Sequence, residues 1–136
     1  MSQSSYKNPV DYSEIFKTIC FTHNPKTIIE FGILDGFSLK SFIDSSSPDT
    51  IIKAFDIFED FKGNGSKRNI IEKFQEYPNV EIKYGDYYKT FQDLQDNSID
   101  LLHIDIANNG DTYEFMFEHY ISKMKKGGIV LLEGGS

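Results

Sequence analysis

The chain has no tryptophan and one cysteine, Cys20, so no disulfide can form within it. That thiol lies in the apolar-spaced segment YSEIFKTICF, where burial rather than reactivity is expected. Positive charge is also scarce. The 14 Lys and Arg are outnumbered by 21 Asp and Glu, for a formal net charge of -7. Nucleic-acid binding rests on clustered basic side chains that release counterions from phosphates, so no nucleic-acid partner is expected. Long hydrophobic runs are missing, and none nears the roughly 20 residues a membrane helix requires. The opening MSQSSYKNPVDYSE lacks a basic stretch followed by an apolar one. No membrane partner is expected, and the cytoplasm is the expected compartment.

What is present suits one compact core: 136 residues, 39% hydrophobic and 15% aromatic. No internal repeat, low-complexity tract or linker divides the chain. A single domain is expected over residues 1–136, with a leader and helix in 1–26 and the core in 27–136.

The pattern alternates. DYSEIFKTICF places Ile15, Phe16, Ile19 and Cys20 at helical spacing, with Asp11 and Glu14 in the form of a capping pair. TIIEF, ended by Gly32, reads as a first strand, with a helix starting near Ser38. IIKAF and Asp56 form a second strand, and Ile70, Ile71 and Phe74 give the next helix an apolar face before Pro78. VEIKY, leading to Gly85 and Asp86, is a third strand, followed by a short helix with Tyr88, Phe91 and Leu94. IDLLHID is strand four. Tyr113, Met116, Phe117, Tyr120, Ile121 and Met124 then recur at three- and four-residue intervals, predicting an amphipathic helix with a core-facing stripe, stopped by Gly127 and Gly128. IVLLE is strand five. Strands alternating with helices predict an α/β, doubly wound, Rossmann-like fold with a mostly parallel sheet flanked by helices.

Ligands of such sheets sit beyond the carboxyl ends of the strands, where strand order reverses. Here every strand has an acid near that end: Glu30, Asp56, Asp86, Asp105 and Glu133. Gly32 and Gly36 let the backbone turn sharply and approach a ligand. Asp56 follows Gly36 by twenty residues, the interval at which a carboxylate accepts ribose hydroxyls. A dinucleotide loop needs Gly-x-Gly-x-x-Gly, but Leu34 stands in the second glycine slot and Phe37 in the third. Glu30 also favours a ligand with a cationic amino-acid end over one with two phosphates. An NAD-type protein is therefore the weaker alternative.

The other histidines and loops read more plainly. His103 is expected to be a satisfied core imidazole. His23 and His119 lack carboxylate or cysteine partners at ligand spacing, which speaks against zinc. Asp111 is expected to cap the helix that follows it. EDFKGNGSK reads either as a lid over the cofactor or as a solvated loop.

EFGILDG, with its acid, one residue, Gly, three residues, Gly, resembles the first motif of class I S-adenosylmethionine-dependent methyltransferases. FGILDGFS, whose Gly-x-Ser opens the helix, and the stretch from GDYYKTF to LLEGG are most similar to the small-molecule O-methyltransferase branch. The resemblance covers most of residues 27–134. It implies methyl transfer from S-adenosylmethionine to a hydroxyl of a small molecule or sugar. It also implies that Glu30, Gly32 and Gly36 surround the methionine part, Asp56 the ribose and Asp86 the adenine, with Asp105 as catalytic residue.

Metal-dependent members bind a divalent ion such as Mg or Ca, for which Asp105 and Glu133 are the candidates. They usually carry Asp with Asp or Asn after strand five, where this chain has Glu133 and Gly134, and the His many members place before Tyr113 is missing. Members continue beyond strand five, so a chain truncated after it is expected to leave an open edge through which a homodimer could form. A non-catalytic cofactor-binding or assembly domain is the alternative function.

Overall fold

The computed structural model describes residues 9–60, 65–106 and 110–133, with side chains from Glu14 onward. The loop reading of EDFKGNGSK therefore falls partly outside the described residues. Five strands are found: β1 (Thr27–Phe31), β2 (Ile51–Asp56), β3 (Val80–Tyr84), β4 (Ile99–Ile104) and β5 (Met124–Leu132). The helices are α1 (Pro9–His23), α2 (Phe37–Ser45), α3 (Lys67–Phe74), α4 (Tyr87–Thr90) and α5 (Thr112–Phe115). The sheet order is β3-β2-β1-β4-β5 and every pairing is parallel. This is the expected Rossmann-like α/β fold, and strand order reverses between β1 and β4.

Alternation along the central strands sends side chains to two separate cores. On one face Ile28, Ile52, Ala54 and Leu101 pack against Phe16 and Cys20 of α1, Leu39 and Phe42 of α2, and Ile70 and Phe74 of α3. Cys20 is buried in this core, and that burial pushes its thiol pKa up. On the other face Ile29, Phe31, Phe55, Leu102 and Ile104 meet Tyr87, Met116 and Tyr120. There the Tyr87 and Tyr120 rings stack with centroids 4.8 Å apart, and the Tyr120 hydroxyl donates to the Tyr87 carbonyl.

Several local expectations are corrected. Helix α1 already begins at Pro9, so Asp11 and Glu14 lie inside it rather than at its cap, and Ile15 is exposed. Ile71 is exposed too, leaving Ile70 and Phe74 as the buried pair of α3. The long helix predicted to run through Met124 ends at Lys123, passing from α5 through a π turn (Met116–Tyr120) and a 3-10 turn (Ile121–Lys123). Met124 instead opens β5, opposite Ile99. Gly127 and Gly128 sit inside β5, where its register against β4 jumps from Ile99↔Met124 to Leu101↔Ile129. The glycines accommodate this irregularity, Gly127 at φ 82°. Of the stripe, Met116 and Tyr120 are buried, as is Met124 in β5, whereas Tyr113, Phe117 and Ile121 face outward.

At the amino ends of the strands, the Asp100 carboxylate accepts the backbone N–H of Lys26 and of Thr27, each at 2.9 Å. Lys125 Nζ lies 3.3 Å from the same oxygen. The start of β1 is thereby tied to β4 and β5.

Candidate functional site

The site forms where β1 and β4 end side by side. Asp105 N–H donates to the Phe31 carbonyl at 2.8 Å, and Gly32 N–H to the Phe55 carbonyl at 2.9 Å. At Gly32, φ is 91° and an added Cβ would lie 1.9 Å from the Asp105 carbonyl oxygen, so only glycine fits. Gly36, at φ 88°, has the Phe74 ring in the same relation at 2.6 Å. Between them Leu34 holds φ 53°, a left-handed conformation uncommon for a branched apolar residue. The slot that dinucleotide loops fill with glycine thus keeps the glycine-like backbone but carries a side chain.

Asp56 secures this loop from the neighbouring strand. Its Oδ2 accepts the N–H of Ile33 at 2.7 Å and of Leu34 at 3.3 Å, and its Oδ1 accepts Phe58 N–H at 2.8 Å. The acid expected to meet a ribose therefore also fastens the β1 loop to the β2 loop. Asp86 similarly caps α4, accepting Tyr88 N–H at 2.9 Å. Gly85 before it packs so closely that a Cβ would lie 2.6 Å from the Phe55 ring. Asp111 corrects its expected role: it occupies the cap position of α5, but its carboxylate makes no cap bond and accepts the Tyr88 hydroxyl at 2.9 Å. The four-residue helix offers little to cap, and the phenol is the better donor.

A buried polar chain runs beneath the loop. Glu30 on β1 and His103 on β4 are in register and both 0% exposed. His103 Nδ1 is 2.8 Å from Glu30 Oε2, which also accepts the Ser38 hydroxyl at 2.5 Å from the first turn of α2. His103 Nε2 lies 3.1 Å from Glu133 Oε2, a close ion-pair contact rather than an aligned hydrogen bond. The rings of Phe16 and Phe42 meet the imidazole edge-on, with centroids 5.4 and 5.5 Å away. Burial pushes the His103 pKa down, but Glu133 and Glu30 outweigh it and raise it to about 10. The imidazole is accordingly a cation held between carboxylates.

His103 is thus a core imidazole, as the sequence suggests, but among the described residues only its Nδ1 is hydrogen-bonded, and its polar neighbours are the acids Glu30 and Glu133. Only three-dimensional register could place Glu30 opposite it and Glu133 two residues beyond its β5 neighbour Leu131. Ser38, eight residues after Glu30, was visible as part of Gly-x-Ser but not as a donor to that acid. The structure brings Glu30, Gly32, Asp105 and Glu133 to adjoining strand ends, with Asp56 one strand away on β2 and Asp86 beyond the outer strand β3. Among the described residues no group of three or more His, Cys, Asp or Glu is arranged to hold a metal ion. None of their helices is long and apolar enough to cross a membrane.

Residues 29–133 match the family described as "Methyltransferase domain". The match spans most of the chain, which therefore belongs to this methyltransferase domain family. No curated protein sequence matches the chain. Among solved structures, it is similar to the O-methyltransferase TomG from Streptomyces achromogenes, involved in tomaymycin synthesis and solved in complex with SAM. That likeness has a TM-score of 0.72 and 17% identity, over 96% of this chain and 56% of that one. The SAH-bound methyltransferase PaMTH1 from Podospora anserina is similar with a TM-score of 0.70 and 16% identity, over 90% and 51%. A methyltransferase from Geobacter sulfurreducens gives a TM-score of 0.70 and 14% identity, over 89% and 59%. These likenesses establish the shared fold, and the chain spans 51% to 59% of the three structures' lengths.

Proposed function

We propose that this chain is the cofactor-binding core of an S-adenosylmethionine-dependent methyltransferase that acts on a hydroxyl of a small molecule or sugar. The observation that carries the reading is the junction of Gly32 with Asp105 at the switch point of the sheet, backed by the buried Glu30 carboxylate. Glu30 Oε1 is buried and has no hydrogen-bond partner among the described residues, an acceptor suited to an ammonium group. Gly32 and Gly36, at φ 91° and 88°, shape the turn beside which the methionine part would lie.

Asp56 is assigned to the ribose, at the end of β2 beside the loop it fastens. Asp86 would stand by the adenine. When bound, S-adenosylmethionine would supply a methyl group on a sulfonium, whose sulfur departs as a neutral thioether and needs no proton. The protein's part is to hold the acceptor oxygen in line with that carbon and to take up its proton. Asp105 is assigned that second task, because it directly follows β4 against the loop.

Calorimetry with S-adenosylmethionine, S-adenosylhomocysteine and NAD tests the cofactor. Binding of the first two is expected, and binding of NAD alone would overturn the reading. Mass-detected methyl transfer to a panel of sugars and catechol-like acceptors tests the activity. Tight cofactor binding with no transfer to any acceptor would favour a non-catalytic binding domain instead.

A further inference from the structure

Glu133, His103, Glu30 and Ser38 form one chain of close polar contacts from the end of β5, across β4 and β1, into the first turn of α2. Two features set it apart from an ordinary buried ion pair. Both donors that reach Glu30, His103 Nδ1 and Ser38 Oγ, converge on the same oxygen, Oε2. The other oxygen, Oε1, is left with no donor among the described residues, although it is buried. A buried carboxylate oxygen without a donor is costly, and two donors on one oxygen pin the orientation of the other.

Charge points the same way. Two carboxyl groups flank one imidazole, and a protonated imidazole carries charge enough to balance only one of them. A ligand cation would balance the other.

We propose that His103 is a positioning residue for the amino-acid end of the cofactor: through Glu30 and Ser38 it sets the carboxylate and the first turn of α2 that receive that end. The proposal rests on the methyltransferase reading above. His103 is suited to the task because its ring cannot turn freely. Phe16 and Phe42 wedge it from the apolar core, and Glu133 engages its far nitrogen. It acts through Glu30 and does not itself touch the cofactor.

The test compares two ligands that differ only by the amino-acid portion. S-adenosylhomocysteine carries it, and 5′-methylthioadenosine does not. His103→Asn places an amide donor near the position of Nδ1 and so keeps the bond to Glu30, whereas His103→Gln places it near Nε2 and loses that bond. By calorimetry, His103→Gln is expected to bind S-adenosylhomocysteine about tenfold or more weakly, a loss of about 1.4 kcal/mol. Its affinity for 5′-methylthioadenosine should stay within about twofold of wild type. His103→Asn is expected to recover most of the loss.

Equal affinity of both variants and wild type for S-adenosylhomocysteine would overturn the proposal. So would parallel loss of both ligands, or identical losses in the two variants, since a merely structural role would produce either. If neither variant folds, Ser38→Ala decides, because it removes the second donor on the same oxygen. It should weaken S-adenosylhomocysteine alone, and unchanged binding would overturn the proposal. Wild-type protein that binds neither ligand would instead sink the methyltransferase reading, and this proposal with it.

Discussion

Gly32 and Asp105 meet backbone to backbone, so closely that a Cβ on Gly32 would lie 1.9 Å from the Asp105 carbonyl oxygen. Gly32→Ala is therefore expected to destabilise the protein by about 3 kcal/mol or more, because it adds a clash with rigid backbone to an unfavourable φ. Gly110→Ala is the control. Its φ is 90° but nothing lies within 4 Å of the added Cβ, so about 1 kcal/mol is expected. Urea denaturation of the two variants checks the difference.

Asp56 joins two loops through three backbone N–H groups. Asp56→Ala should cost about 2–3 kcal/mol of stability, as charge-assisted bonds are lost and buried donors stranded. It should also weaken S-adenosylmethionine binding by about tenfold or more, a loss of about 1.4 kcal/mol. Thermal melting and calorimetry on the same preparation separate the effects. A variant that melts early but binds as wild type would remove Asp56 from the cofactor site.

The raised pKa of His103 has a definite sign. In the unfolded chain the imidazole titrates near its ordinary value of 6.5, whereas in the fold it stays protonated to about 10. Its contribution is fully present below pH 6.5 and is lost as pH climbs from there toward 10. Wild-type stability should fall over that interval, and His103→Gln should flatten the fall. Tyr87 and Tyr120, raised chiefly by burial, act only above about pH 10, where unfolded phenols begin to ionise.

The segment after Asp111 offers a packing test. Phe117 is 65% exposed, so Phe117→Ala should change stability by no more than about 0.5 kcal/mol. Its neighbour Met116 is buried against the sheet, and Met116→Ala should cost about 2–5 kcal/mol. Similar losses in chemical denaturation would return Phe117 to the core.

The contrast marks how far sequence reasoning reaches. All five strands were legible, since β-branched runs ending in glycine or an acid give both type and carboxyl end. The parallel direction of the strands followed from the crossover helices, whereas their order in the sheet did not. The stretch from Tyr113 to Met124 misled because its apolar spacing fits a regular helix, whereas a π turn and a 3-10 turn shift which residues face inward. Strand β5 also claims Met124 by pairing with Ile99, a contact that no local pattern announces. At the site, the acids were legible one by one, but their partners were not. Glu30 and His103 are 73 residues apart, and only the β1–β4 register makes them neighbours.

That register has its own indexing pin at the other end of the sheet. Asp100 grips the N–H groups of Lys26 and Thr27 just where β1 begins. Parallel strands that slid by two residues would keep the same faces buried, so hydrophobicity alone would tolerate the error. Such a slide would set Glu30 opposite Leu101 and strand its carboxylate in hydrocarbon. By fixing the phase of β1 against β4 at its start, Asp100 determines which side chain stands opposite Glu30 three residues further along both strands.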